Sequence, residues 1–139
     1  MTLNWAILSV NGVSSPANAA YSVEELRHQL VFSGCKVLFT VMPLLSIALR
    51  AATLANLPHD RVYICEMPGD GAIPPQYKTI SGLIEMGRQL PQLEPSKWTK
   101  GQGARQTAFL CYSSGTSGLP VCDHIYLSCS MHHLMRRVA

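Results

Sequence analysis

The sequence predicts an α/β protein, with a partial, mostly parallel sheet and flanking helices. Three observations carry this expectation. Short runs at 36–40, 61–65 and 107–112 have strand length and are apolar enough for the middle of a sheet covered on both faces. Segments with helical spacing at 22–33, 43–57 and 80–90 alternate with them. The third run leads directly into a loop of glycine and hydroxyl residues, 113–120.

The elements follow in chain order. Residues 2–10 read as a short helix stopped by Asn11-Gly12, residues 13–15 as a brief strand and 16–20 as a small-residue connection. Tyr21-Ser22-Val23-Glu24-Glu25-Leu26 contains a capping box. The Ser22 hydroxyl can accept from the backbone near Glu25, Glu25 can reach back to the Ser22 N–H, and Tyr21 can staple to Leu26 across the same turn. Val23, Leu26, Leu30 and Val31 are the expected apolar face, and Gly34 stands where a left-handed terminating residue is wanted. Pro43 suits the first position of the next helix, which Pro58 is expected to stop. Residues 67–77 hold prolines and glycines and read as loop. Gly82 and Gly87 weaken the helix at 80–90, and 91–103 reads as a polar loop.

Composition narrows the function classes. The chain has 139 residues, 47% of them hydrophobic, which suits one packed domain and argues against disorder. A net charge of +3 without a basic face does not suggest a nucleic-acid binder. Five cysteines with no Cys-x-x-Cys pair read as reduced, buried thiols. No Lys or Arg precedes the apolar run 5–10, so it does not read as a secretory leader. The apolar stretch 37–49 contains Pro43 and is too short for a bilayer span. The expected location is the cytoplasm, with the peroxisome left open.

The sharpest chemical signal is Cys111-Tyr112-Ser113-Ser114-Gly115-Thr116-Ser117-Gly118-Leu119-Pro120. Gly115 and Gly118 permit backbone torsions closed to other residues. Successive N–H groups can then turn inward around an anion, and the hydroxyls of Ser113, Ser114, Thr116 and Ser117 add donors for phosphate oxygens. An ordinary Gly/Ser turn has the same composition, and the spacing is not that of a Walker A loop.

That loop resembles the phosphate-binding signature of the adenylate-forming superfamily, in which Lys-Gly normally follows the proline. Trp5-Ala6-Ile7-Leu8, Gly12-Val13-Ser14-Ser15-Pro16-Ala17-Asn18, Tyr21-Ser22-Val23-Glu24-Glu25-Leu26, Gln29-Leu30 and residues 33–40 resemble the upstream part of the same large N-terminal lobe. The chain looks most like AMP-forming acyl-CoA ligases of the 4-coumarate–CoA ligase type, especially fungal ones, over residues 2–120. The resemblance implies attack of a carboxylic acid on the α-phosphate of ATP, giving an acyl-adenylate and pyrophosphate, followed by displacement of AMP by coenzyme A. It implies that Ser113, Ser114, Gly115, Thr116, Ser117 and Gly118 hold the β- and γ-phosphates, with Mg2+ accompanying the ATP.

The pattern breaks after Pro120. Val121-Cys122-Asp123 stands where Lys-Gly is expected, and Ala19 where proline is usual. The resemblance makes residues 1–120 part of the family domain and 121–139 an aberrant tail. On that reading the chain is a truncated piece without the ribose-binding aspartate or the small lobe with its catalytic lysine, and no residue in it is assigned a catalytic role. A reading-frame shift or retained intron at Pro120–Val121 would produce so abrupt a break, and a cleanly spliced message in this frame would exclude that origin.

The remaining candidates are weaker. Cys122, Asp123, His124, Cys129, His132 and His133 have metal-ligand chemistry without a closed-site spacing, so no metal site is assigned. Glu24-Glu25 suits capping better than acid–base work, His28 reads as solvated, His59 has no evident partner, Cys111 reads as a buried thiol, and Trp5 and Trp98 read as packing residues. Two rivals to the inactive ligase piece stay open: a phosphate-binding module, and an interaction protein associating through exposed sheet edges.

Overall fold

The computed structural model describes residues 2–94, 99–113 and 121–126. Its helices are α1 (Thr2–Ser9), α2 (Val23–Phe32), α3 (Leu45–Leu54) and α4 (Ile80–Arg88). Its strands are β1 (Leu38–Thr40), β2 (Val62–Ile64), β3 (Lys78–Thr79), β4 (Thr107–Ser113) and β5 (Val121–Tyr126). They belong to two compact units, one of Asn18–Gln92 and one of Met1–Ala17 with Leu93–Ala139.

The unit Asn18–Gln92 is a small parallel sheet in the order β1-β2-β3, with helices. Leu38 pairs with Val62 and Thr40 with Ile64, and Ile64 pairs in turn with Thr79. Helix α3 makes the crossover from β1 to β2, as parallel neighbours require. Its Leu45, Ala48, Ala51 and Ala52 are buried, at i, i+3, i+6 and i+7. One apolar cluster joins Leu45, Ala52 and Leu57 to Val62 and Ile64. A second joins Ala51 to Leu26 and Leu30 of α2, with Tyr21 and Val23 against it. Helix α3 is thus the wall between the two clusters. Ala51, Ala52 and Ile64 are 0% exposed, and small side chains at 51 and 52 let the neighbouring backbones approach.

Local chemistry sets the helix ends. Ser22 caps α2 with the full reciprocal box, and Tyr21 and Leu26 pack in one cluster, as a staple requires. Three helices end in the same two-bond motif, with a left-handed residue just past the cap. After α2 this residue is Gly34 (φ 60°), with Cys35 N–H to Leu30 O and Gly34 N–H to Val31 O. After α3 it is Asn56 (φ 54°), with Leu57 N–H to Ala52 O and Asn56 N–H to Thr53 O. After α1 it is Asn11 (φ 57°), with Gly12 N–H to Ile7 O and Asn11 N–H to Leu8 O.

Several sequence expectations change. Val31 is 56% exposed and Gln29 is buried instead. Val31 lies about 140° around the helix from Leu26, off the buried face. Pro43 sits in a 3-10 turn, Met42–Leu44, that precedes α3, and α3 ends before Pro58 because the Asn56 motif stops it first. The loop at 67–77 is followed by a two-residue strand, β3, that the sequence does not announce. Helix α4 buries no residue. Its start is fixed by Thr79 Oγ1, which accepts from Gly82 N–H at 3.1 Å, and by Glu66, which accepts from Ser81 N–H at 3.1 Å.

Among the described residues, no helix is long and apolar enough to cross a membrane.

Candidate functional site

The candidate loop leaves the end of β4, in the unit built from both ends of the chain. β4 is paired on two sides. Ser14 forms a parallel bridge with Phe109; its N–H donates to Ala108 O and its C=O accepts from Leu110 N–H, both at 2.9 Å. The Ser14 side chain is held as well, its hydroxyl donating to Asn4 Oδ1 at 3.0 Å. The brief strand expected at 13–15 is therefore present as this bridge. On its other side β4 pairs antiparallel with β5, from Thr107↔Tyr126 to Ser113↔Val121, with an irregularity between Thr107 and Phe109. Ala108, in the middle, is 0% exposed. A strand gripped on both edges is a stiff base for whatever follows it.

Ser113, first of the predicted phosphate contacts, is the last residue of β4. Ser114, Gly115, Thr116, Ser117 and Gly118 lie outside the described residues. The structure therefore gives the two posts of the loop and their register. Residues 114–120 connect Ser113 to Val121, and those two residues face each other across the ladder. No strand is expected after Pro120 from the sequence, so β5 is an addition. It also makes β4–β5 antiparallel, whereas β1–β3 and the Ser14 bridge are parallel as expected.

The other candidates resolve into structural roles. Glu25 accepts from Ser22 Oγ at 2.7 Å and from Ser22 N–H at 2.8 Å, and these bonds, the hydroxyl's first, hold its carboxyl below the usual carboxylate range. Glu66 is lowered too, first by the Ser81 backbone bond. His28 is half-buried and stacks on Phe32 at 5.8 Å between centroids, so it is not simply solvated. His59 does have a partner, Thr53 Oγ1, at 2.8 Å from Nε2. The Thr53 hydroxyl donates to Leu49 O at 2.9 Å, so His59 Nε2 carries the proton in this contact. Trp5 is 47% exposed, not packed away, and Trp98 lies outside the described residues.

Burial disfavours the reactive thiolate at two of the thiols. Cys35, Cys65, Cys111 and Cys122 are half-buried thiols that are not joined in disulfides. Burial raises Cys35, and burial followed by the Glu66 charge raises Cys65; a raised thiol is poorly ionised at neutral pH. Among the described residues, no group of three or more His, Cys, Asp or Glu is placed to hold a metal ion. Cys129, His132 and His133 lie outside them.

The parallel sheet with helices in one unit, and β4 ending at Ser113 in the other, make this an α/β protein. The model of the family described as AMP-binding enzyme matches residues 1–121, and the chain belongs to that family. Curated relatives include Acyl-CoA ligase cm3C of Cordyceps militaris, 38% identical over 122 residues, and Acyl-CoA ligase easD of Emericella nidulans, 33% identical over 120. Each match takes in 84% of this chain but only 19% and 21% of the relatives, so the chain spans about a fifth of their length. The fold is similar to part of a red-emitting luciferase from Phrixothrix hirtus, with TM-score 0.70 at 17% identity over 88% of this chain and 29% of that one. A Brucella canis acyl-CoA synthetase gives 0.64 at 19% identity over 97% and 23%.

Proposed function

We propose that this chain is the phosphate-loop part of an acyl-CoA ligase, a protein that activates a carboxylic acid with ATP and passes the acyl group to coenzyme A. The observation that carries this reading is the placement of Ser113, at the exit of a strand held on both edges, inside a segment matched by the AMP-binding family. In this reading Ser113, Ser114, Gly115, Thr116, Ser117 and Gly118 form a cradle of N–H and hydroxyl donors for the β- and γ-phosphates. In this reading Mg2+ enters with the triphosphate. The 4-coumarate-like resemblance points to aromatic acids as the first to test, and a cytoplasmic location remains part of the proposal.

These 139 residues alone are proposed to be without turnover. Adenylyl transfer depends on fixed cations aimed at developing charge, and Val121 supplies none where the family pattern has lysine. Losing one such contact costs about 2.7–4 kcal/mol, or roughly 10²–10³ in rate. Residues 1–120 carry the family pattern and 121–139 depart from it in sequence, even though β5 pairs with β4. ATP–pyrophosphate exchange by the purified chain, over a panel of aromatic and fatty acids, is the test. No exchange above a no-protein blank is expected; acid-dependent exchange would overturn the inactive reading and leave the ligase assignment standing.

A further inference from the structure

We propose that Asn11 is a self-modification site, converting to aspartate or isoaspartate, and that the C-terminal motif of α1 gates the conversion.

The chemistry needs only water. The Gly12 amide nitrogen loses its proton to solvent and attacks Asn11 Cγ. An N–Cγ bond forms, the Cγ–Nδ2 bond breaks, and the amide nitrogen leaves as ammonia, taking a proton from solvent. Water then opens the five-membered imide at either carbonyl, giving aspartate or isoaspartate, with no change of oxidation state. Glycine is the follower least able to obstruct this attack. The asparagines at 4, 18 and 56 are followed by Trp5, Ala19 and Leu57, which crowd the nitrogen.

The fold both creates and restrains this reactivity. Asn11 is exposed, so water reaches its side chain. However, the attacking nitrogen is in use: Gly12 N–H donates to Ile7 O at 2.9 Å, and Asn11 is held left-handed at φ 57°. Attack requires that hydrogen bond to open. A larger residue cannot replace Gly12 without cost, because a Cβ there would lie 2.8 Å from Ile7 Cγ2 and 2.9 Å from Ile7 O. The residue that makes the helix ending is therefore the one that leaves the peptide reactive. The change is also one-way. Isoaspartate inserts a methylene into the backbone, so Gly12 N–H no longer reaches Ile7 O, two residues before Ser14 grips β4.

The test incubates the whole chain at neutral pH, with and without urea, and maps aspartate and isoaspartate by peptide mass spectrometry. The same is done for Leu8→Ala, which loosens α1 at its buried residue. Conversion at Asn11 is expected to be about tenfold or more slower in the native chain than in urea, because only the opened state reacts. Leu8→Ala is expected to move the native rate toward the urea value, and does so equally if that variant unfolds. Equal rates with and without urea, an unchanged rate in Leu8→Ala, or faster conversion at Asn4, Asn18 or Asn56 in urea would each overturn the proposal.

Discussion

Ser22 and Glu25 satisfy each other across the first turn of α2: the Glu25 carboxylate accepts from Ser22 N–H at 2.8 Å, while Ser22 Oγ accepts from Glu25 N–H at 3.3 Å. Each occupies a backbone donor that the start of a helix otherwise leaves to water. Ser22→Ala removes the side-chain half of this exchange. It is expected to destabilise the chain by about 1 kcal/mol, read as a lower urea midpoint with unchanged slope, while Ser22→Thr retains most of the stability. An Ala variant as stable as the parent would mean that the box forms without contributing.

Glu25 and Glu66 are both held below the ordinary carboxylate value by hydrogen bonds to their charged forms. A depressed folded-state pKa gives a contribution that is fully present above the unfolded value and is lost as pH falls through the folded one. The stability difference between the parent and Glu25→Gln, or Glu66→Gln, is therefore expected at neutral pH and should shrink once pH drops below about 4. Urea titrations across that range check it; a difference that grows toward acid contradicts the sign.

Ile64 pairs with strands on both sides and is 0% exposed. Ile64→Val should cost about 0.5–1.5 kcal/mol and Ile64→Ala about 2–5 kcal/mol. Chemical denaturation measures both. Near-equal losses would mean that the space left by the larger deletion is refilled from the loop side, where Ile73 and Tyr77 pack.

For the proposed phosphate loop, ATP-Mg is expected to bind the isolated chain no tighter than about 1 mM, or roughly −4.1 kcal/mol, and Gly115→Pro with Gly118→Pro should abolish that binding. Val121 faces Ser113 across the ladder, so Val121→Lys should tighten binding about tenfold and make it sensitive to salt. Calorimetric titration reads both. An unchanged affinity in Val121→Lys would place the phosphates elsewhere.

Exposed apolar residues of α4 and the segment after it, Ile84, Met86, Leu90 and Leu93, and the terminal positions of β1 and β3 in their ladder, favour association at high concentration. Sedimentation velocity should show concentration-dependent growth that Met86→Lys with Leu90→Lys reduces. A chain that stays monomeric across the range contradicts this.

What the sequence made legible was local. The capping box of α2, its Gly34 ending and the short apolar strands are written in neighbouring residues, and they stand where expected. The end of α3 is also written locally, as Asn56 followed by Leu57, but Pro58 is the stronger stop signal in the sequence. Gln29 was hidden because a polar residue on the buried face breaks the apolar pattern that marks the face. β3 and β5 were not legible for a different reason. Two residues carry no periodicity, and 121–126 sets two titratable residues, Asp123 and His124, in mid-run, so both strands depend on partners distant in sequence or across a turn. The loop motif was legible as chemistry, and of its residues only Ser113 lies among those the structure describes.

The position of α3 between two clusters bears on how the unit Asn18–Gln92 opens. Ala51 belongs to one cluster and Ala52 to the other, so releasing their amides to solvent means parting α2 and the sheet from the helix together. Amide exchange in α3 is then expected to require opening of the whole unit, with a rate that tracks global stability. Helix α4 buries nothing and can fray alone. The same unit thus carries a slow clock and a fast one, and deuterium uptake in the two helices would separate loss of the fold from loss of a single turn.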